Sequence, residues 1–336
     1  MSVGALVPKR FAVPAALLLL FALSEVIRGT LIVNPYIQLV LITIGINAIL
    51  ASSLNLVNGY MGEFSVGHAG FMAIGAYGAS VLTVKLLPSM PSVLFPLAVL
   101  AGGALAALVG LGLAVLSFRT RGDYLAIVTL AFNVIVKSVL ENLDVVGGPR
   151  GLMGMRKLTN LPVTLAFLVL AIFVIRNLVH SRFGRGVQAI REDELAANLM
   201  GVDTRRAKAL AFAVSSFFAG VAGGLYAHLL QFVNPRMFDL VKSTDVLVMV
   251  YLGGIGSLTG SVLGATLFTV LLEVLRPLGM ARMVAMPLML VVLMIFRPRG
   301  IMGFVEPRWL LPFRERLLRR RLAQDAASVT GAAPLG

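Results

Sequence analysis

Glu63 and His68 stand five residues apart in the stretch 55–79, NLVNGYMGEFSVGHAGFMAIGAYGA, which also carries Asn55, Asn58, Ser65 and Tyr77 among six glycines. A carboxylate and an imidazole could pass a proton between them, but five-residue spacing with Gly67 in between is too loose for a paired acid and base. Other chemistries are excluded by counting. The chain has no cysteine, so there is no disulfide framework or thiol chemistry, and its three histidines show no metal-ligand spacing.

The surroundings of these polar groups decide how they are read. Of 336 residues, 58% are apolar and only 13% charged, with a mean hydropathy of +0.93. A soluble domain carries about 25% charged residues, so this composition excludes an ordinary soluble enzyme, a disordered chain and a collagen-like fibre. The fold class expected is an all-α, polytopic membrane helix bundle. Each span needs about 20 apolar residues, which leaves room for about 10 transmembrane helices, within a range of roughly 8–10. Ionisable groups at membrane depth cost about 2.5 kcal/mol or more and turn toward a bundle interior or a water-filled cavity. Asn55, Asn58, Glu63, Ser65, His68 and Tyr77 are therefore read as lining a substrate path or its gate. For Glu63 and His68, a structural hydrogen bond near one membrane surface is an equal alternative. Lys137 and Glu141, spaced i,i+4, could neutralise each other, and Arg176 can snorkel, so these three are read as structural.

The net charge of +14 is not spread evenly. Eight arginines lie between Arg297 and the end against Glu306, Glu315 and Asp325; 180–208 holds six basic and four acidic residues; Lys9-Arg10 and the Arg119, Arg121, Asp123 turn hold the next share. These four segments account for +10 of the +14. Basic loops stay on the cytoplasmic side, so both termini are expected there and an even number of spans should separate neighbouring basic segments. Apolar runs at about 11–27, 31–57, 59–84, 93–118, 124–143, 161–179, 209–230 and 283–296 meet that parity only if the long run 246–272 is two short helices. The break is expected at Gly253, Gly254 and Gly256. A re-entrant hairpin there would be the other solution. Lys9-Arg10 before Phe11 to Ser24 looks like a secretory signal, but no clear cleavage pattern precedes Glu25 and Arg28, so an uncleaved first helix is expected. Nothing else in the chain supports nucleic-acid binding. The tail 308–322, RWLLPFRERLLRRRL, is expected to lie on anionic membrane lipid.

The domain organisation expected is an N-terminal segment with the first helix at 1–30, a transmembrane domain at 31–303 and a basic cytosolic tail at 304–336. Small residues prepare three faces for close helix contact: Gly102, Ala106, Gly110 and Ala114; Gly256, Gly260 and Gly264; and Ala219/Gly223 beside Gly220/Gly224. Inside the cytosolic segment 180–208, the residues 187–200 favour a short helix, Gly201 suits a left-handed C-terminal position, and Asp203 suits the N-cap of the next span. Projected as one helix, 187–200 has no clean apolar stripe, so it is expected to sit between protein surfaces rather than on lipid.

Ala196-Ala197-x-x-x-Gly201 resembles a degenerate form of the EAA loop by which permeases of ATP-driven (ABC) importers engage their ATPases. Together with GEFSVGHAGFMAIGAYGA (62–79), RGDYLAIVTLAF (121–132), GGPRGL (147–152), AIREDELAANLMGV (189–202), AFAVSSFFAGVAGGLYA (211–227) and VYLGGIGSLTGSVLGA (250–265), it is similar to the LivM-type permeases of branched-chain amino acid importers. Leu195 stands where the EAA glutamate would be, with Glu194 one residue early, and Val146 replaces a common threonine before the Gly-Gly pair. The resemblance implies a permease subunit, not an enzyme, in a bacterial cell (inner) membrane. Its partners would be a second, LivH-type permease, two cytosolic ATPase subunits and a periplasmic or extracellular substrate-binding protein. It assigns ATPase coupling to Ile190, Glu194, Leu195, Ala196, Ala197 and Gly201. The chain holds no GxxxxGK[ST] phosphate loop, so no cofactor is expected on it, and ATP and Mg are expected on the partner subunits. A permease of the same superfamily for urea, short amides or other amino acids is the nearest alternative. An ion-coupled secondary transporter is a more distant one.

Overall fold

The computed structural model describes residues 34–88, 91–117, 124–281 and 300–303, with 284, 288, 291, 292 and 295 as single positions. The expected first helix at 11–27, most of the run 283–296 and the basic tail fall outside the described residues.

The first described helix, α1 (Pro35–Asn55), starts where the Asn34 side chain accepts from Tyr36 N, with Pro35 at the first helical position. It continues through a π-helical turn, so the apolar span is Pro35–Met61. Gly62, in the left-handed region at φ 79°, ends it. A non-helical linker at 62–67 leads to α2 (His68–Val81), which is followed by α3 (Phe95–Ser117), α4 (Tyr124–Asn142) and α5 (Leu161–Val179). Two short helices, α6 (Arg182–Glu192) and α7 (Glu194–Leu199), precede the long α8 (Thr204–Leu230). The chain then forms α9 (Leu240–Gly253) and α10 (Leu258–Val274). Strands β1 (Leu152–Met153) and β2 (Phe232–Val233) pair antiparallel, Leu152 opposite Val233 and Met153 opposite Phe232, and tie two connections together. Among the described residues, six helices are long and apolar enough to cross a membrane. The protein is an all-α, multi-pass membrane helix bundle.

The bundle has two distinguishable ends. Gly59, near the end of α1, accepts from Arg191 of α6, which marks the loop end. α8 leaves that end at Thr204 and reaches the hairpin end at Leu230, next to β2. α10 runs antiparallel to α1, since Asn55 bonds Ser261 while Asn47 bonds Thr269.

Packing at the centre rests on small residues, as apolar helices in lipid gain little from association unless their backbones approach closely. α2, α3 and α8 make one such cluster. A Cβ on Gly75 would collide with the backbone of Gly220, and one on Gly223 with the Met72 carbonyl. Ala106 of α3 sits against Gly220, and Phe71 fills the adjoining space between Phe132 and Phe212. The interruption between α9 and α10 uses glycine differently. Gly254 has φ 123° and Gly256 φ 71°, and Ile301 N and Met302 N bond the carbonyls of Leu252 and Gly253, which satisfies the exposed end of α9.

Candidate functional site

The segment between α5 and α8 is built by its caps. Ser181 Oγ accepts from Gly184 N to start α6, which buries Gly184, Val187 and Ile190 along one side. Asp193 has extended backbone (φ −160°, ψ 114°), and its Oδ1 accepts from Leu195 N at 2.8 Å and Ala196 N at 3.0 Å. The single helix expected over 187–200 is therefore two helices. The cause is Asp193, whose carboxylate satisfies the first donors of α7 better than a continued helix could. The absence of one apolar stripe follows from that break, since each half turns its own side inward. Ala197 is buried, whereas Leu195, Leu199 and Met200 project, the last two being 89% and 85% exposed. Gly201 adopts φ 84° and Asp203 Oδ1 accepts from Arg206 N, so the chain turns directly into α8.

Lys208, on the second turn of α8, joins this segment to the linker. Its Nζ lies 2.5 Å from Glu63 Oε1 and 2.8 Å from Glu194 Oε2, with the lysine side chain only 7% exposed. Arg191 makes a second tie, donating to Gly59 O at 3.3 Å while its side chain packs on Gly62. Glu63 is thus held by Lys208 of α8, which also binds Glu194 of α7, rather than by His68.

His68 has a separate place. It is buried, with Nε2 2.7 Å from Ser53 Oγ. Ser53 Oγ also lies 2.8 Å from Leu50 O, and Ser53 O accepts from Ser215 Oγ, so Ser53 joins His68 to two helices. Asn55 is spent on the break between α9 and α10: it accepts from Gly256 N and donates to Ser257 O and Ser261 Oγ. Tyr77 reaches Val233 O at 3.4 Å. Asn58 Oδ1 accepts from Ser65 N, but Asn58 Nδ2 and Ser65 Oγ are buried without a partner among the described residues. The linker is also tied from outside: Val66 N donates to Thr129 Oγ1, and Ala69 N, just beyond it, to Ser243 Oγ. Irregular backbone is tolerated at membrane depth only when its polar groups are bonded in this way. Lys137 and Glu141 do not form an ion pair.

Three charged residues do not stand out in the sequence: Lys208, Lys242 and Asp245. Lys208 reads as the last charge of a basic loop. Lys242 and Asp245 read as part of a connection because the apolar run begins only at Val246. In the structure they lie in α9, which starts within the thickness of the bundle. His68 bonds Ser53, and Ser53 precedes Met61 by eight residues, about 12 Å along the helix. Ala69 follows His68 and bonds Ser243, so the first turns of α9 sit at that same depth from the loop end. Asp239 caps α9 by accepting from Val241 N and Lys242 N. Lys242 Nζ stands 5.6 Å from the centroid of the Tyr226 ring. Neither Lys242 Nζ nor the Asp245 carboxylate has a hydrogen-bond or ion-pair partner among the described residues, and both are partly exposed beside Val241 and Thr244, which are exposed.

The amino-acid sequence has relatives among known proteins. The family model described as "Branched-chain amino acid transport system / permease component" matches residues 36–296. The chain is 35% identical over 295 residues to the high-affinity branched-chain amino acid transport system permease protein LivM of Escherichia coli (strain K12), covering 77% of this chain and 68% of that protein. It is 33% identical over 149 residues to the LivH permease of Salmonella typhimurium, covering 42% and 45% of the two chains. A probable branched-chain amino acid permease LivM of Methanocaldococcus jannaschii is 26% identical over 277 residues, 70% of this chain and 79% of that protein. No solved structure matches.

Proposed function

The chain belongs to the family of branched-chain amino acid transport system permease components, and on that premise we propose that it is one of two related permeases in an ATP-driven importer for branched-chain amino acids. The second permease is of the LivH type, a kind of relative this chain also resembles over nearly half its length. Two cytosolic ATPases bind ATP and Mg, and a periplasmic or extracellular binding protein delivers the cargo. The bundle sits in a bacterial cell membrane with about ten crossings and both ends in the cytosol, which puts the loop end of the bundle on the cytosolic side.

The observation that carries the coupling mechanism is the bridge Glu194–Lys208–Glu63. In the proposed mechanism, α7 presents Leu195, Leu199 and Met200 to an ATPase cleft, with Ala197 and Ile190 seating the segment on the bundle. When ATP closes the ATPase pair, α6 and α7 move as one unit. Lys208 and Arg191 carry that movement to the linker and the end of α1, and the two permease halves rock between outward- and inward-open states. Of the six residues expected on the path, Asn58 and Ser65 keep that role in the proposal because each has a buried polar atom with no partner among the described residues, which a rearrangement of the linker would turn toward cargo or water. Asn55, Glu63, His68 and Tyr77 hold the helices that border it.

The test is purification and reconstitution. Co-elution with a second permease and two ATPases, followed by leucine uptake driven by ATP and the loaded binding protein, is the expected result. Leu195→Asp should then abolish stimulated ATP hydrolysis while leaving the permease pair assembled. Uptake that persists without the ATPases would overturn the mechanism.

A further inference from the structure

We propose that Lys242 and Asp245 form a station on the translocation path that receives the zwitterionic head of an amino acid, Lys242 taking the α-carboxylate and Asp245 the α-ammonium. The assignment rests on the reading of this chain as an amino acid permease and names residues of its path.

An amino acid is neutral overall but carries two full charges, and each is costly to bring into a region of low dielectric without a counter-charge. A path for such a cargo needs one cation and one anion within a few ångströms, both reachable. Lys242 and Asp245 meet that need. They lie three residues apart on one helix, which brings them to neighbouring positions on its surface, yet they do not close on each other as an ion pair. Each charge has a reason to stay in place without being consumed. Lys242 is held beside the Tyr226 ring. Ser243, between the two charges in sequence, is buried and bonded to Ala69 N, which fixes the first turns of α9. Asp239, the other carboxylate nearby, is occupied in capping the helix. The backbone adds to the effect, since a helix that begins inside the bundle presents the positive end of its dipole at that depth. Val241 and Thr244 continue the same exposed surface. A structural lysine–aspartate pair would be closed and covered, whereas this one is open and partly accessible.

The experiment uses the full complex in proteoliposomes, with leucine as the probe and two readouts: leucine taken up, and ATP hydrolysis stimulated by the leucine-loaded binding protein. Lys242→Met and Asp245→Asn are each expected to lower leucine delivered per ATP by about tenfold or more, while Lys242→Arg and Asp245→Glu retain most of it. Delivery within about twofold of the parent in both charge-removing variants would overturn the proposal. A second variant leaves the charges intact and guards against misfolding. The chain has no cysteine, so Thr244→Cys introduces a single thiol for a membrane-impermeant, charged thiol reagent. Labelling that is slowed by leucine during turnover is expected. A thiol that never reacts places this face on lipid and overturns the assignment, as does labelling that leucine leaves unchanged. Failure of the parent complex to transport leucine at all would instead refute the reading as a branched-chain amino acid permease, which separates the two outcomes.

Discussion

The linker at 62–67 and the first turns of α9 are both interruptions inside an apolar bundle, and they treat charged groups in opposite ways. Around the linker, Glu63 is paired with Lys208, Ser65 N with Asn58, Val66 N with Thr129, and His68 with Ser53. In α9 the backbone is capped by Asp239, but the charges of Lys242 and Asp245 are left open. The difference separates two uses of buried polarity. A group with a partner inside the chain fixes the position of an element, whereas a group at the same depth with no such partner is available to something that passes by.

Four substitutions test that contrast on stability, ordered from the largest expected effect. Lys208→Met leaves the half-buried Glu63 without its cation and should cost about 3 kcal/mol. A lower thermal midpoint of the purified complex, together with ATP hydrolysis no longer coupled to uptake, is the expected result. An unchanged midpoint would mean that the linker is not held through this bridge. Ser53→Ala removes the partner of the buried His68 Nε2 and should cost about 2 kcal/mol, read from the same melting curve. Thr129→Val removes the acceptor for Val66 N and should cost about 1 kcal/mol, with faster hydrogen exchange at the linker as its local signature. Asp245→Asn should shift stability by less than about 0.5 kcal/mol, because no internal partner is lost. A drop as large as that of Lys208→Met would erase the distinction between the two interruptions and return Asp245 to the scaffold.

Much of the scaffold could be read without coordinates. The apolar content implies a bundle, the small-residue spacing implies where helices touch, and Gly253, Gly254 and Gly256 coincide with the turn between α9 and α10. Gly201 and Asp203 act as local conformational signals, so their roles at φ 84° and as an N-cap need only a few neighbouring residues. The break in 187–200 is not legible in the sequence, because Asp193 reads as an ordinary polar residue of a helix while its side chain competes for the backbone and splits the helix there.

The site residues were legible only as a set of costly polar groups. Residue type and membrane context settle that Glu63 and His68 need a reason to be where they are, since ionisable groups in lipid are expensive whatever their neighbours. Their partners lie 145 residues downstream, at Lys208, and 15 upstream, at Ser53, and no periodicity connects such distances. Lys242 was hidden for the same reason: along the chain it borders a loop, and only the packing of Ser243 against α2 brings it to membrane depth. The sequence by itself determined that this is an apolar bundle with interrupted helices, because composition and local conformation are properties of short stretches. The tertiary structure alone decided which charges are closed and which are open, because a counter-charge is a matter of distance in space.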